Sequence, residues 1–270
     1  MGMIIVLLVP LRVTSLPQYG LSSMNETATW SAATAGMQLG INEVHLWRAN
    51  LDLAPRIRES LSAFLSVPER ERGSRFVFPR DHDRFAVSRA ILRQILAGYL
   101  GMAPRDVLIE TLPHGKPTLK VAKEISPLRF NLSHSEGFAL YAFSFEHEVG
   151  IDVEKFRPKV DFEGIESYFS MNEQAELQAL PRELRPEGFL LCWTRKEAYV
   201  KAKGDGLHTP LASFDVSLTP NQPVILTSSD KERWSLYSLR PDPGYVGALV
   251  AEGRGHRLQF WEWHESIPSQ

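Results

Sequence analysis

Two carboxylates one residue apart are the first candidates for chemistry. Along Gly150-Ile151-Asp152-Val153-Glu154, an extended chain turns Asp152 and Glu154 to one side and Ile151 and Val153 to the other. Paired anions repel unless a proton, a basic side chain or a cation lies between them, and their hard oxygens suit Mg2+. The polar edge of a half-buried strand has the same pattern, so the pair alone leaves both readings open.

A second group sits in Trp193-Thr194-Arg195-Lys196-Glu197-Ala198-Tyr199-Val200-Lys201. The spacing predicts a helix that ends at Lys203-Gly204 and carries Glu197 and Lys201 one turn apart on one face. That pair fits a surface ion pair or an acid–base couple, and Arg195 and Lys196 fit either reading. In His114-Gly115-Lys116-Pro117, proline drives Lys116 out of the helical region and Gly115 permits a tight bend, so a turn presents the lysine. In Phe130-Asn131-Leu132-Ser133-His134-Ser135, a short strand runs into hydroxyl and imidazole donors suited to phosphate oxygens or to local turn bonds. A mixed-charge run, Glu69 to Arg84, contains Arg70, Arg72, Arg75, Arg80 and Arg84 and reads mainly as a solvated helix face. Trp47, Trp193, Trp261 and Trp263 are assigned to core or interface.

These segments lie in a chain of 270 residues with 43% hydrophobic and 23% charged residues, the profile of a globular protein. A formal charge of −2 gives no bulk field that calls for nucleic acid or an anionic membrane, so anion binding must be local. The single cysteine, Cys192, excludes an intramolecular disulfide and a cysteine-built zinc site, and a reducing cytoplasmic setting is the simplest expectation. The apolar run Ile4 to Pro10 is too short to span a bilayer and has no preceding Lys or Arg, so it is not read as a signal. Residues 1–40 are expected to be a flexible leader or a mis-assigned start, with Met24 and Met37 as alternatives. The periodic body begins near Glu43, where alternation predicts a strand over Val44–Arg48.

The chain also repeats. Phe64-Leu65-Ser66-Val67-Pro68-Glu69 resembles Tyr168-Phe169-Ser170-Met171-Asn172-Glu173, and the same offset places Phe85 on Phe189, each opening a helical pattern. So long a period predicts two similar α/β lobes with a cleft between them rather than a solenoid. Each half is expected to hold a strand entering a helix, Val44–Arg48 then Pro55–Leu65, and Val149–Val153 then Phe162–Phe169. A second helix follows in each, Arg80–Leu100 and Arg185–Lys203, with further strands at Phe130–Leu132, Phe138–Phe145 and Trp234–Leu239. The halves differ where chemistry is expected: Asp152, Glu154 and Glu197 fall opposite Arg48, Asn50 and Arg93. If a metal is bound, only the second half is expected to hold it.

Taken in order, the four segments resemble the Sfp-type 4′-phosphopantetheinyl transferases, over roughly Val44 to Leu218. The likeness implies an α+β fold, a pseudo-dimer of two α/β lobes with the active site in the cleft between them. It divides the chain into an N-terminal lobe over 41–147 on the coenzyme A side and a C-terminal lobe over 148–270 with the metal and catalytic residues. It implies an Mg2+-dependent enzyme that moves 4′-phosphopantetheine from coenzyme A to a serine of an apo acyl or peptidyl carrier protein, releasing 3′,5′-ADP. By position in the motifs, Asp152, Glu154 and Glu197 resemble the metal ligands and Glu197 the general base, while Lys201 resembles the lysine on the pyrophosphate and leaving group. Lys116, Pro117, Ser133, His134 and Arg84 resemble coenzyme-binding positions, with Arg72 and Arg75 looser candidates. The leader has no counterpart in the family. Two other readings use the same residues: a phosphohydrolase acting on coenzyme A or nucleotides, and a coenzyme A-binding module without catalysis. A chain that already holds both lobes is expected to be a monomer.

Overall fold

A computed structural model describes residues 29–33, 37–112, 115–121, 124–157 and 168–265. Two compact units emerge, one formed by residues 29–146 with the C-terminal segment from Gly255, the other by His147–Arg254. Among the described residues no helix is long and apolar enough to cross a membrane.

In the first unit the chain runs through β1 (Ser31–Ala32), β2 (Glu43–Asn50), α1 (Pro55–Ser62), α2 (Val67–Gly73), α3 (Pro79–Leu100), β3 (Ile109–Thr111), β4 (Pro117–Val121), β5 (Glu124–Ile125), β6 (Leu128–Ser135) and β7 (Phe138–Phe145). The second unit contains β8 (Val149–Lys155), α4 (Met171–Leu177), α5 (Arg185–Lys203), β9 (Asp215–Val216), β10 (Leu226–Thr227), β11 (Trp234–Leu239) and β12 (Tyr245–Glu252). The last strand, β13 (Arg257–Glu262), returns to the first unit, where the sheet order is β1-β13-β2-β7-β6.

The predicted repeat is present as topology. Its two forms are β2-β7-β6 and β8-β12-β11, three antiparallel strands with the third of the sequence in the middle. A long helix packs on each sheet: α3 shares a core with Trp47, Ala49, Tyr141 and Phe143, and α5 shares one with Trp234, Val246, Ala248 and Val250. Both long helices stop at a left-handed glycine, Gly101 with φ 63° and Gly204 with φ 76°, a conformation that costs a residue with a Cβ.

The aligned hexapeptides turn out to be capping boxes. Ser66 caps α2 and Ser170 caps α4, each accepting from the backbone of a glutamate three residues on, while Glu69 and Glu173 reach back to the capping residue. Such a box satisfies two amides that a helix start leaves unpaired. Each glutamate then accepts from a cation on the long helix. Glu69 holds Arg89 at 2.9 Å and Arg93 at 2.6 Å, and Glu173 holds Lys196 at 2.8 Å. Lys196 is fully buried and also donates to the carbonyls of Leu211, at 2.7 Å, and Phe214. Its ammonium lies 4.1 Å from the Phe214 ring centroid. Arg195, 2% exposed, donates to Ser217 and Ser238. Both basic residues are therefore structural.

Three placements differ from the reading of the sequence. The folded body begins before Glu43: Ser31 and Ala32 pair in parallel with Trp261 and Glu262, and Trp30 meets Phe260 edge-on at 5.2 Å. Those two residues cover an edge of β13 whose amides would otherwise face water. The short helices α2 and α4 are additional to the expected elements, and the helix expected over 162–169 lies outside the described residues apart from Tyr168 and Phe169. Finally, a boundary at 147/148 leaves β13 with the second half, whereas its backbone pairs in parallel with β2.

Two predictions follow from these cores. His45 is 2% exposed, with Nδ1 2.7 Å from the Tyr99 hydroxyl and Nε2 3.4 Å from Glu43, and burial lowers its pKa from 6.5 to about 4. Between those values the unfolded chain binds a proton that the folded chain does not, so stability falls as pH drops through that window, by at most about 1.4 kcal/mol per pH unit. Denaturant melts from about pH 7 to about pH 4.5 should show this slope flattened in His45→Gln; parallel slopes would contradict it. Lys196→Met leaves Glu173 buried without its cation and should cost about 3–5 kcal/mol, with much of the loss recovered in Glu173→Gln/Lys196→Met. Urea unfolding of the two variants checks this, and a loss below about 1 kcal/mol for Lys196→Met would refute it.

Candidate active site

The candidate centre of the second unit is built where α5 crosses β8. Alternation along β8 puts Gly150, Asp152 and Glu154 on one face, opposite Val250, Ala248 and Val246 of β12. Those three valine and alanine side chains belong to the core shared with α5, so the two carboxylates stand on the face that the helix covers. Contact there is very close. A Cβ added to Gly150 would lie 2.1 Å from the carbonyl oxygen of Ala198 and 2.3 Å from the amide nitrogen of Ala202. Only glycine lets the two backbones approach so nearly, and Ala198 and Ala202, one turn apart, are small enough to present their backbone to it. Glu197 and Lys201 each precede one of these alanines.

Lys201 consequently reaches Asp152. Its ammonium donates to Asp152 Oδ1 at 2.6 Å and to the Ile151 carbonyl at 3.3 Å. Asp152 is 3% exposed, so the ion pair is shielded on the carboxylate side and open on the ammonium side. Burial raises the pKa of Glu197, the neighbouring Asp152 charge raises it further, and Lys201 opposes both. The three side chains thus share one electrostatic environment. Glu154 sits on the same strand face, half-buried. The donors fit Mg2+ in kind, being carboxylate oxygens with like charges near one another. Among the described residues no group of three or more His, Cys, Asp or Glu is gathered closely enough to hold a metal.

The other predicted positions belong to the first unit. Leu112 donates to the Lys116 carbonyl at 2.9 Å and Gly115 to the Leu112 carbonyl at 2.8 Å, with Gly115 at φ 89°, which is the expected turn. His114 lies outside the described residues. Pro117 opens β4. Ser133, buried, and His134, exposed, occupy the end of β6 opposite Leu140 and Ala139, and alternation sends them to opposite faces. Arg72 and Arg75 are exposed, with the Arg72 guanidinium 5.5 Å from the Phe85 ring centroid. Arg84, in the second turn of α3, forms a two-pronged pair with Asp52, Nε to Oδ1 at 2.7 Å and Nη2 to Oδ2 at 2.6 Å. That hydrogen bonding holds the Asp52 carboxyl below its usual range.

At the repeat positions opposite the three acids, the first unit spends its side chains on structure. Arg48 pairs with Glu262 at 2.9 Å, the Asn50 side chain accepts from the Asp52 amide at 2.8 Å, and Arg93 serves the α2 cap glutamate. In the second unit the cap glutamate takes its cation from position 196, which releases position 197 to carry a carboxylate. Sequence reasoning passed over Gly150 and Asp52. A glycine inside a strand is itself a mark of close backbone approach, whereas nothing local ties Asp52 to an arginine on α3.

Comparison with known proteins finds one family along both units. Residues 148–250 match the sequence model of the 4′-phosphopantetheinyl transferase superfamily, and residues 54–146 match that of the 4′-phosphopantetheinyl transferase N-terminal region. The chain is 40% identical over 236 residues to the 4′-phosphopantetheinyl transferase HetI of Nostoc sp., covering 87% of this chain and 98% of that protein. It is 28% identical over 200 residues to the 4′-phosphopantetheinyl transferase Sfp of Bacillus subtilis, covering 74% and 87%. A putative 4′-phosphopantetheinyl transferase of Synechocystis sp. is 35% identical over 179 residues, covering 65% and 72%. With extensive matches along both units, the chain belongs to the 4′-phosphopantetheinyl transferase superfamily.

Proposed function

We propose that this chain transfers the 4′-phosphopantetheine arm of coenzyme A to a serine hydroxyl of an apo carrier protein, with 3′,5′-ADP as coproduct and Mg2+ as the required ion. The observation that carries this reading is the grouping of Asp152, Glu197 and Lys201 on the crossing of α5 and β8 in a chain of this family. The serine oxygen bonds to the β-phosphorus of coenzyme A as the bond from that phosphorus to the bridging oxygen of 3′,5′-ADP breaks. The serine proton passes to a base, and the electron pair of the broken bond leaves with the nucleotide.

Glu197 is the base in this scheme. Its raised proton affinity, set by burial and by Asp152, suits it to take the hydroxyl proton directly or through a water. Lys201, held by Asp152 at 2.6 Å, keeps a fixed positive charge where the departing 5′-phosphate of 3′,5′-ADP gains negative charge. Asp152, Glu154 and Glu197 are not gathered as a metal site as they stand, so they would hold Mg2+ only on drawing together around it, and the ion would then offset charge on the diphosphate oxygens. Lys116 on its turn, Ser133 and His134 at the end of β6, and Arg84, with Arg72 and Arg75 on the exposed stretch before α3, are assigned to the phosphates of coenzyme A, and Pro117, which has no N–H to donate, to a coenzyme contact beside Lys116. The chain is taken to act as a cytoplasmic monomer.

The direct test incubates the chain with coenzyme A, Mg2+ and a panel of apo carriers, reading intact carrier mass and nucleotide release. The expected result is gain of one phosphopantetheine on a carrier serine with equimolar 3′,5′-ADP. Nucleotide release that ignores the carrier would instead indicate a phosphohydrolase. Glu197→Gln should abolish transfer with the melting temperature little changed, and Lys201→Ala should lower kcat by about 100-fold with a smaller effect on coenzyme affinity; equal losses in both would reduce Lys201 to a binding residue. Gly150→Ala forces a Cβ against the Ala198 and Ala202 backbone and should cost about 1–3 kcal/mol together with most of the activity. Full activity in that variant would show that the close approach is dispensable.

A further inference from the structure

Arg84 is joined to more than one element of the first unit. Its two-pronged partner, Asp52, follows β2, and the Asp52 carboxylate lies against the turn that links β6 to β7. A Cβ added to Gly137 in that turn would stand 2.3 Å from Asp52 Oδ2, 2.8 Å from Asp52 Cγ and 3.2 Å from Arg84 Nη2. The segments are also tied through their backbones, because the Leu51 amide donates to the Gly137 carbonyl at 2.7 Å. Asp52 is itself fixed by the hydrogen bond that its backbone amide donates to Asn50 Oδ1 at 2.8 Å. Three separate pieces of chain, β2, α3 and the β6–β7 turn, therefore meet at one carboxylate, and the β6 end of that turn carries Ser133, His134 and Ser135.

We infer that Asp52 is a positioning residue for coenzyme A, setting the Arg84 guanidinium at a fixed place relative to His134, which shares the α3-covered face of the sheet with Ala139 and Tyr141, so that a phosphate-binding frame is ready before the coenzyme arrives. The inference rests on the reading of Arg84 and His134 as phosphate contacts. Arginine carries five donors in a rigid fork. Asp52 uses Nε and one Nη2 donor, which locks the plane of the group and leaves the remaining donors in a known direction. A free arginine side chain would have to surrender its rotamer freedom on binding, and an arginine already ordered does not. The carboxylate also brings a negative charge near an anionic ligand. Its side chain is 53% exposed against 15% for Arg84, so water screens its repulsion of the ligand, while the two hydrogen bonds fix the plane of the guanidinium. Orientation outweighs repulsion, and the sign of the effect on affinity follows: removal of Asp52 weakens coenzyme binding. Gly137 belongs to the same device, because a side chain there would push the carboxylate out of the fork while leaving its charge in place.

Calorimetric titration of the full chain with coenzyme A tests this without a carrier. Asp52→Ala should raise the dissociation constant about fivefold or more, at a melting temperature within a degree or so of wild type. Gly137→Ala should weaken binding in the same direction although it keeps the carboxylate, which a pure charge effect would not do. Because Asp52 acts through Arg84, Asp52→Ala/Arg84→Gln should bind no more weakly than Arg84→Gln alone. If Arg84→Gln weakens binding and Asp52→Ala leaves it unchanged or tightens it, the positioning role is overturned while the coenzyme reading of Arg84 stands. If Arg84→Gln itself leaves affinity unchanged, the coenzyme reading of Arg84 falls and the role of Asp52 falls with it.

Discussion

The second unit is organised around the contact of two backbones. At Gly150 the strand β8 and the helix α5 come closer than any side chain would permit, with Ala198 and Ala202 the facing residues. Two charges follow from that contact. Glu197 and Lys201 sit immediately before the two alanines, so the depth of the crossing sets how far each stands from the strand, and Asp152 is two residues from the glycine on the same face. The 2.6 Å bond from Lys201 to Asp152 is the readout of this geometry. Such a pair gains from the low dielectric on its buried side and remains accessible on the other.

The internal repeat uses one structural pattern in two ways. Both units build the same antiparallel trio of strands, cover it with a long helix, and begin a short helix with a serine–glutamate box whose glutamate is neutralised by a cation on the long helix. In the first unit that cation is Arg93, the position equivalent to Glu197. In the second unit it moves back one residue to Lys196. One helical residue is a rotation of about 100°, enough for position 197 to leave the cap and share the field of Asp152.

Much of the candidate site was legible in the sequence because its rules are local. The alternation at 150–154, the one-turn spacing of Glu197 and Lys201, and the Gly-Lys-Pro bend each depend on a few adjacent residues, and each stands in the structure as the spacing implies. The repeat was visible as similarity, yet Ser66-x-x-Glu69 and Ser170-x-x-Glu173 carried a capping signature that explains why they are similar. What escaped was non-local. Pairing of β13 with β2 joins residues more than two hundred positions apart, and neither strand's pattern names its partner. Lys196 and Arg195 look like surface charges until the chain places carbonyls and Glu173 around them. Burial of a charge is a property of its neighbours, not of its own segment.

The central claim is that Asp152 and Lys201 act as a unit because the strand–helix crossing holds them together. A double-mutant cycle on the rate of phosphopantetheine transfer tests it most directly, using Asp152→Asn, Lys201→Met and the two combined. If they form one unit, the combined variant loses no more than the worse single variant, since either change already disables the pair. Losses that multiply would contradict the account, because they would show two residues contributing independently.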